Sequence, residues 1–65
     1  MRLIVNGEPQ DIAATTLFEL LTLMEYEGDW LATAVNGELV HREDRLAHSL
    51  NENDRIEVLT PMQGG

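Results

Sequence analysis

The sequence predicts an α+β fold in which one main helix crosses a mixed sheet of four to five strands, with a flexible C-terminal tail after the last strand. Three features of the 65-residue chain support this prediction. Short runs of strand-forming residues flank two Asn-Gly pairs, which are strong signals for tight hairpin turns. A segment between them carries apolar residues at helical spacing. The last apolar run, RIEVL, is followed by TPMQGG, which ends in two glycines that pack nothing.

The first hairpin is predicted at the start of the chain. Residues 1–6 are rich in strand formers, and Asn6-Gly7 follows as a turn in which both residues tolerate positive φ angles. Residues 8–13 are then expected to fold back as an antiparallel strand. Because Pro9 has no backbone N–H, this second strand is predicted to lie at the edge of the sheet.

The main helix is predicted over residues 17–26. A capping box marks its start, in which the Thr16 hydroxyl accepts the amide of Glu19 and the Glu19 carboxylate accepts the amide of Thr16. Gly28 lies near the expected end of the helix. Four apolar residues repeat at i, i+3, i+4 and i+7 and are expected to face the core: Leu17, Leu20, Leu21 and Met24.

Two further strands are predicted around the second Asn-Gly turn. Residues 31–36 and 39–42 flank Asn36-Gly37, and the tetrapeptide VNGE occurs both here and at the first hairpin. Because the flanking residues differ, we interpret VNGE as one turn sequence used twice and not as an internal repeat. Residues 43–50 are expected to form a short helical turn and a loop, and residues 51–54 have the composition of a turn.

The last strand is predicted over residues 55–59, with Ile56 and Val58 on the core face. A helix that follows a hairpin must cross one face of the sheet, and such crossovers are right-handed. The last strand is therefore expected to pair in parallel with the first strand, at the centre of the sheet. This arrangement is a β-grasp (ubiquitin-like) architecture, with a domain over residues 1–59 and a flexible Gly-Gly tail over residues 60–65.

Size, charge and cysteine content narrow the possible functions. A 65-residue chain with a core of about a dozen side chains has little room for an enzyme pocket, so we expect a protein that is not itself an enzyme. The absence of cysteine excludes disulfides and thiolate metal sites. A net charge of −8 disfavours nucleic-acid binding and favours a basic partner. The sequence has no membrane span and no signal-peptide pattern, so a cytoplasmic location is expected.

The histidines and the isolated aromatic residues are predicted to have structural roles. His41 and His48 form no spacing that brings a third ligand to a metal ion, so neither a metal site nor a bound cofactor is expected. Trp30 is expected to pack under the end of the helix. Phe18 lies one position off the helical stripe and is expected to cover the core.

The tail carries the group that we consider chemically active. A terminal carboxylate is ionised at neutral pH and is a poor electrophile. An enzyme that uses ATP can convert it to an acyl-adenylate, which a sulfur nucleophile then attacks to leave a thiocarboxylate. Gly64 and Gly65 have no Cβ, so the backbone here can pass through a narrow channel. A protein without cysteine would then carry sulfur on its last residue.

The whole chain resembles the ThiS family, the bacterial ubiquitin-like sulfur carrier proteins of thiamin biosynthesis. The segments AVNGELVHRED and NENDRIEVL and the final Gly-Gly carry this resemblance. The VHRE segment and the chain length are more similar to this family than to the longer small subunit of molybdopterin synthase. Two positions depart from the pattern. Asn53-Asp54 stands where many relatives have Gly-Asp, and Gln63 is polar where many relatives have an apolar or small residue. Since asparagine tolerates left-handed φ angles, the turn at Asn53 is expected to survive.

The resemblance implies roles for residues of the tail and for the last residue of the final strand. The carboxylate of Gly65 would be adenylated and converted to the thiocarboxylate, while Gly64 and Gln63 would lie in the channel of the activating enzyme. Three residues near the end of the last strand would contact partners: Leu59, Pro61 and Met62. The implied partners are a ThiF-type adenylating enzyme that uses ATP, a ThiG-type thiazole synthase that accepts the sulfur, and a sulfur donor such as a cysteine desulfurase.

Three other functions are compatible with the same tail. The chain would be the small subunit of molybdopterin synthase, or the carrier of another sulfur-transfer pathway, if a different acceptor took the sulfur. A ubiquitin-like protein modifier would form amide links to lysines of its targets. A plain interaction domain would function without Gly64 and Gly65. We adopt the carrier for thiazole formation as the hypothesis.

Overall fold

A computed structural model describes residues 1–26 and 30–60, which form a five-stranded mixed sheet with one α-helix packed on one face. The elements in chain order are β1 (Arg2–Val5), β2 (Glu8–Asp11), α1 (Leu17–Leu23), β3 (Ala32–Val35), β4 (Glu38–Val40), a 3₁₀ turn (Arg42–Asp44) and β5 (Arg55–Leu59). The spatial order of the strands is β2-β1-β5-β3-β4. β1 and β5 pair in parallel and the other neighbours are antiparallel. The predicted β-grasp topology is confirmed, including the edge position of β2 and the central position of β5.

Both Asn-Gly pairs form the predicted turns. Asn6 and Gly7 have φ angles of 50° and 83°, and Asn36 and Gly37 have φ angles of 53° and 85°. Positive φ at both central residues is the geometry of a type I′ turn, whose twist matches that of the strands it connects. The two turns therefore fix the register of β1 against β2 and of β3 against β4.

The capping of α1 is close to the prediction but differs in one partner. The amide of Glu19 donates to the Thr16 hydroxyl at 3.2 Å, as expected for an N-cap. The Glu19 carboxylate, predicted to accept the Thr16 amide, accepts its main hydrogen bonds from Thr15, from the amide at 2.8 Å and from the hydroxyl at 2.9 Å, while the Thr16 amide makes a smaller contribution. Thr15 offers two donors to one carboxylate oxygen, which explains the change of main partner. These bonds, the backbone one first, hold the pKa of the Glu19 carboxyl below its ordinary value of 4.5.

This cap predicts a component of stability that depends on pH. Because the folded-state pKa of Glu19 is lowered, its contribution is present above the unfolded-state pKa and is lost as the pH falls through the folded-state pKa, in a window below about 4.5. In Glu19→Gln the free energy of unfolding should therefore fall less steeply with acid than in the wild type. Urea titrations across this pH window measure the difference. Glu8→Gln, at an exposed strand carboxylate, is the control, and an acid slope for Glu19→Gln as steep as the wild-type slope would contradict the prediction.

The helix ends earlier than predicted. α1 stops at Leu23, three residues before the predicted end, and Gly28 lies outside the described residues. The chain turns because Glu25 adopts a φ angle of 62°, and the amide of Tyr26 donates to the Leu21 carbonyl at 2.9 Å. This is a Schellman C-cap with glutamate at the left-handed position, where glycine is the usual residue. Sequence reasoning placed the end at residue 26, near Gly28, and missed this cap.

The core lies between α1 and the inner face of the sheet. Met24 of the predicted helical stripe is only partly buried and packs against the core. The buried apolar residues among those described are Leu3, Val5, Ala14, Leu17, Leu20, Leu21, Leu31, Val35, Val40, Leu50, Ile56 and Val58. This set contains the other three residues of the predicted stripe and both core residues predicted for β5.

The predictions for Trp30 and Phe18 are wrong, and a buried arginine lines the space to which Trp30 was assigned. Trp30 is 82% exposed and Phe18 is 52% exposed, so neither seals the core. Arg45, only 5% exposed, lines the space beneath the end of α1. Its guanidinium donates to the Leu31 carbonyl at 2.7 Å and to the Thr33 hydroxyl at 3.2 Å. Sequence reasoning assigned Trp30 to this space because the core is small, and it placed Arg45 in a polar turn and loop.

Candidate functional site

Of the predicted site residues, Leu59 is the one that the structure describes. It is the last residue of β5, and its side chain is 70% exposed. Along β5, Ile56 and Val58 are buried against the helix, so Glu57 and Leu59 belong to the opposite face of the sheet. The remaining predicted positions, Pro61, Met62, Gln63, Gly64 and Gly65, lie outside the described residues. Their assigned roles stay predictions.

The outer face of the sheet contains an apolar groove beside Leu59. We call it the outer groove and define it by Ala32, Ala34, Leu39, Glu57 and Leu59; its volume is about 580 Å³. In the register of the sheet, Ala32 lies opposite Leu59, and Ala34 lies between Leu39 and Glu57. The two alanines are short, so a depression remains between the two leucines. Leu39 and Leu59 are 64% and 70% exposed, so the outer groove presents two apolar side chains to solvent.

The asparagines of the two VNGE turns bind β5 on both sides, each through its backbone amide and its side-chain oxygen. On the β1 side, the backbone amide of Asn6 donates to the Ile56 carbonyl at 2.8 Å. The side-chain oxygen of Asn6 accepts the backbone amide of Val58, also at 2.8 Å. On the β3 side, the backbone amide of Asn36 donates to the Arg55 carbonyl at 2.7 Å. The side-chain oxygen of Asn36 accepts the backbone amide of Arg55 at 3.0 Å. The strand that leads into the tail is thus fixed along its length. Sequence reasoning assigned the asparagines only to turns, although the recurrence of VNGE was a signal of a shared role.

The turn before β5 is built on Asp54, which is nearly buried. Its carboxylate accepts the side-chain amide of Asn36 at 2.9 Å and the backbone amide of Asn51 at 2.8 Å. Asn53 precedes it with a φ angle of 69°. The expectation that asparagine supports a left-handed turn here is confirmed.

The Asn36 side chain is predicted to contribute measurably to stability. Asn36→Gly keeps the positive φ angle but removes the two side-chain hydrogen bonds, to the Asp54 carboxylate and to the Arg55 amide. The free energy of unfolding should therefore fall by about 1–3 kcal/mol. Urea denaturation measures this change. Asn53→Gly is the matched control because Asn53 also has positive φ and its side chain makes no hydrogen bond within the described residues. Equal stability losses in the two variants would show that the side-chain bonds do not matter.

Histidine and acidic residues elsewhere on the described chain do not form a metal-binding cluster. His41 is exposed and His48 is half-buried. Within residues 1–26 and 30–60, no three histidine, aspartate or glutamate side chains are grouped so that they could hold a metal ion. The same residues include no helix that is long and apolar enough to cross a membrane.

Comparisons with known proteins agree on one family. The sequence model of the ThiS family matches residues 3–65. The crystal structure of the thiamine biosynthesis protein ThiS from Geobacter metallireducens is 30% identical in sequence, has a TM-score of 0.84, and the match covers 100% of both chains. An NMR solution structure of a thiamine biosynthesis protein from the same organism has the same identity and TM-score, and that match covers 100% of this chain and 88% of the other. No match was found among curated protein sequences.

Proposed function

The chain belongs to the ThiS family, and from this premise we propose that it is a sulfur carrier of thiamine biosynthesis, a protein co-substrate and not itself an enzyme. The observation that carries the proposal is the extent of the family match, which runs through the strand β5 and the tail to Gly65. The exposed Leu59 and the outer groove support it, because a carrier needs a surface that its partners recognise.

The proposed chemistry takes place at the carboxylate of Gly65. In a ThiF-type adenylating enzyme, a carboxylate oxygen attacks the α-phosphorus of ATP and releases pyrophosphate, which leaves an acyl-adenylate. A persulfide on a donor such as a cysteine desulfurase then attacks the carbonyl carbon through its terminal sulfur and displaces AMP, which leaves an acyl disulfide. A thiol reductant cleaves the S–S bond and frees the donor's thiol. The product is a thiocarboxylate whose sulfur a ThiG-type synthase takes up into the thiazole.

The tail is long enough to carry the terminal carboxylate away from the sheet, and its end is narrow enough to enter a channel. From Thr60 to Gly65 the chain can extend at most about 20 Å, at ~3.3–3.6 Å per residue. Gly64 and Gly65 have no side chains that would obstruct a channel, and we assign Gln63 to the channel as well. Because β5 is held on both sides by asparagine side chains, the start of this tether has a fixed position.

Partner contact is assigned to the end of β5 and the residues after it. Leu59 lines the outer groove, and Pro61 and Met62 continue the apolar character of the chain beyond it. A partner that fills the groove would bury Leu39 and Leu59, and the removal of this apolar surface from water would favour association. The groove would thus bind while the tail delivers the carboxylate.

The acceptor of the sulfur is tested by isotope transfer. The protein is first loaded with ³⁵S by the adenylating enzyme and then purified and mixed with a ThiG-type thiazole synthase and its small-molecule substrates. The proposal predicts that the label leaves the protein and appears in the thiazole product. Transfer of the label to the product of a molybdopterin synthase large subunit, with none to the thiazole, would assign the carrier to the other pathway.

A further inference from the structure

We propose that Glu57 is a specificity residue of the outer groove, and that the adenylating enzyme meets its carboxylate with an arginine or lysine side chain. This inference rests on the proposed function and deepens it, because it states the chemistry of the partner surface that docks beside the tail.

Glu57 lies in the middle of β5, at the boundary of two depressions on the outer face. On one side it lines the outer groove with Leu59 and Leu39. On the other side it lines a smaller depression that also includes Ile4 and Arg55. Directly across on β3 lies Ala34, whose methyl group is too short to cover the carboxylate. A partner that fills the groove therefore has to pass over this charge.

The fold itself does not use this carboxylate. Among the described residues no group donates a hydrogen bond to the Glu57 side chain, and no basic group lies within 4 Å of it. Arg55 lies two residues earlier on the same face of the strand but forms no ion pair with it. By contrast, the carboxylates of Glu19 and Asp54 each accept two hydrogen bonds from the chain. Glu57 is exposed and is hydrated in the isolated protein.

Docking on the groove changes the surroundings of this charge. Contact with Leu39 and Leu59 removes water from the groove, and a carboxylate that loses its water without gaining a partner opposes binding strongly. A cationic side chain on the partner offsets this cost with a charge-assisted hydrogen bond. A partner that presents an acid or an apolar side chain at this point is rejected. Glu57 thus distinguishes partners, while the net charge of −8 steers basic surfaces toward the protein in general.

The test separates this local pairing from general electrostatic steering. Binding of a ThiF-type enzyme is measured by isothermal titration for the wild type, Glu57→Gln, Glu57→Leu and Glu38→Gln. Glu38 is exposed on β4, pairs with the buried Val35, and so belongs to the other face of the sheet. Glu57→Gln and Glu38→Gln change the net charge equally, from −8 to −7. The proposal predicts binding at least about 10-fold weaker for both Glu57 variants and a change below about 2-fold for Glu38→Gln.

The sign of the Glu57→Leu result decides the outcome. If the partner has no cation at this point, the apolar leucine removes a desolvation cost and binding becomes tighter, which overturns the inference. Equal losses for Glu57→Gln and Glu38→Gln would also overturn it, because general steering would then explain both. If the wild type gains sulfur and the variants give either of these results, the role of Glu57 is refuted but the proposed function is not. A wild-type protein that gains no sulfur refutes the proposed function, and the inference with it.

Discussion

Deletion of Gly65 is expected to abolish sulfur loading, so that the intact protein shows no exchange of oxygen for sulfur after incubation with a ThiF-type enzyme, ATP and a sulfur donor. The deletion moves the terminal carboxylate back by one residue, or about 3.4 Å, from the position it reaches in the full-length tail. Misplacement of a reacting group by about 1 Å can already reduce a rate by about 100-fold. Intact-mass spectrometry of the variant measures the loss.

The control for this deletion is Thr60→Ala, which keeps both the length of the tail and the terminal Gly-Gly. We expect this variant to be loaded, because the reacting carboxylate and its distance from β5 are unchanged. Loading of the Gly65 deletion at the wild-type rate would show that the position of the carboxylate is not recognised, and the assignment of Gly65 as the modified residue would fail.

Leu59→Asp is expected to raise the KM of the adenylating enzyme for the carrier by about 10-fold or more. The substitution removes one of the two exposed leucines of the outer groove and places a carboxylate there. Docking would bury this charge without a partner, which costs more than about 1.4 kcal/mol, the equivalent of a tenfold change. Since Leu59 is 70% exposed, the free energy of unfolding should change by less than about 0.5 kcal/mol. Exchange of labelled pyrophosphate into ATP gives the KM.

Leu46→Asp provides the matched comparison. Leu46 is 67% exposed, follows the 3₁₀ turn and does not line the outer groove. Both variants replace an exposed leucine and add one negative charge to the net charge of −8. A KM for Leu46→Asp as high as that for Leu59→Asp would mean that the added charge, and not the groove, weakens recognition.

Most of the fold followed from local sequence signals. The Asn-Gly pairs specified two type I′ turns, and the four-residue apolar stripe identified the buried face of α1. Strand positions were predicted to within two residues at their ends. The central position of β5 is consistent with chain order, because α1 carries the chain from β2 across the sheet to β3 and leaves the place between β1 and β3 for the last strand.

The features that sequence reasoning missed all depend on contacts between distant residues or on unusual backbone angles. Glu25 takes the left-handed conformation although it is not glycine, so α1 ends earlier than composition indicates. Arg45 is buried because a carbonyl of Leu31 and a hydroxyl of Thr33 are close enough to receive its guanidinium, which only the folded chain brings together. Trp30, which was expected in this space, is exposed.

The candidate site was predictable to different degrees. The exposure of Leu59 followed from the two-residue alternation of β5. The outer groove did not, because it requires the alanines of β3 to lie between leucines of two other strands, and this register is a property of the sheet. The roles of the residues from Pro61 to Gly65 rest on the family pattern and remain predictions.

The most direct test of the central claim is the intact mass of the wild-type protein after incubation with a ThiF-type adenylating enzyme, ATP and a sulfur donor. The account predicts a gain equal to the mass difference between one sulfur and one oxygen atom, confined to the C-terminal peptide that ends at Gly65 and absent when ATP is omitted. An unchanged mass under conditions in which the enzyme loads another carrier, or a gain at any other residue, would contradict the claim that this protein carries sulfur on its terminal glycine.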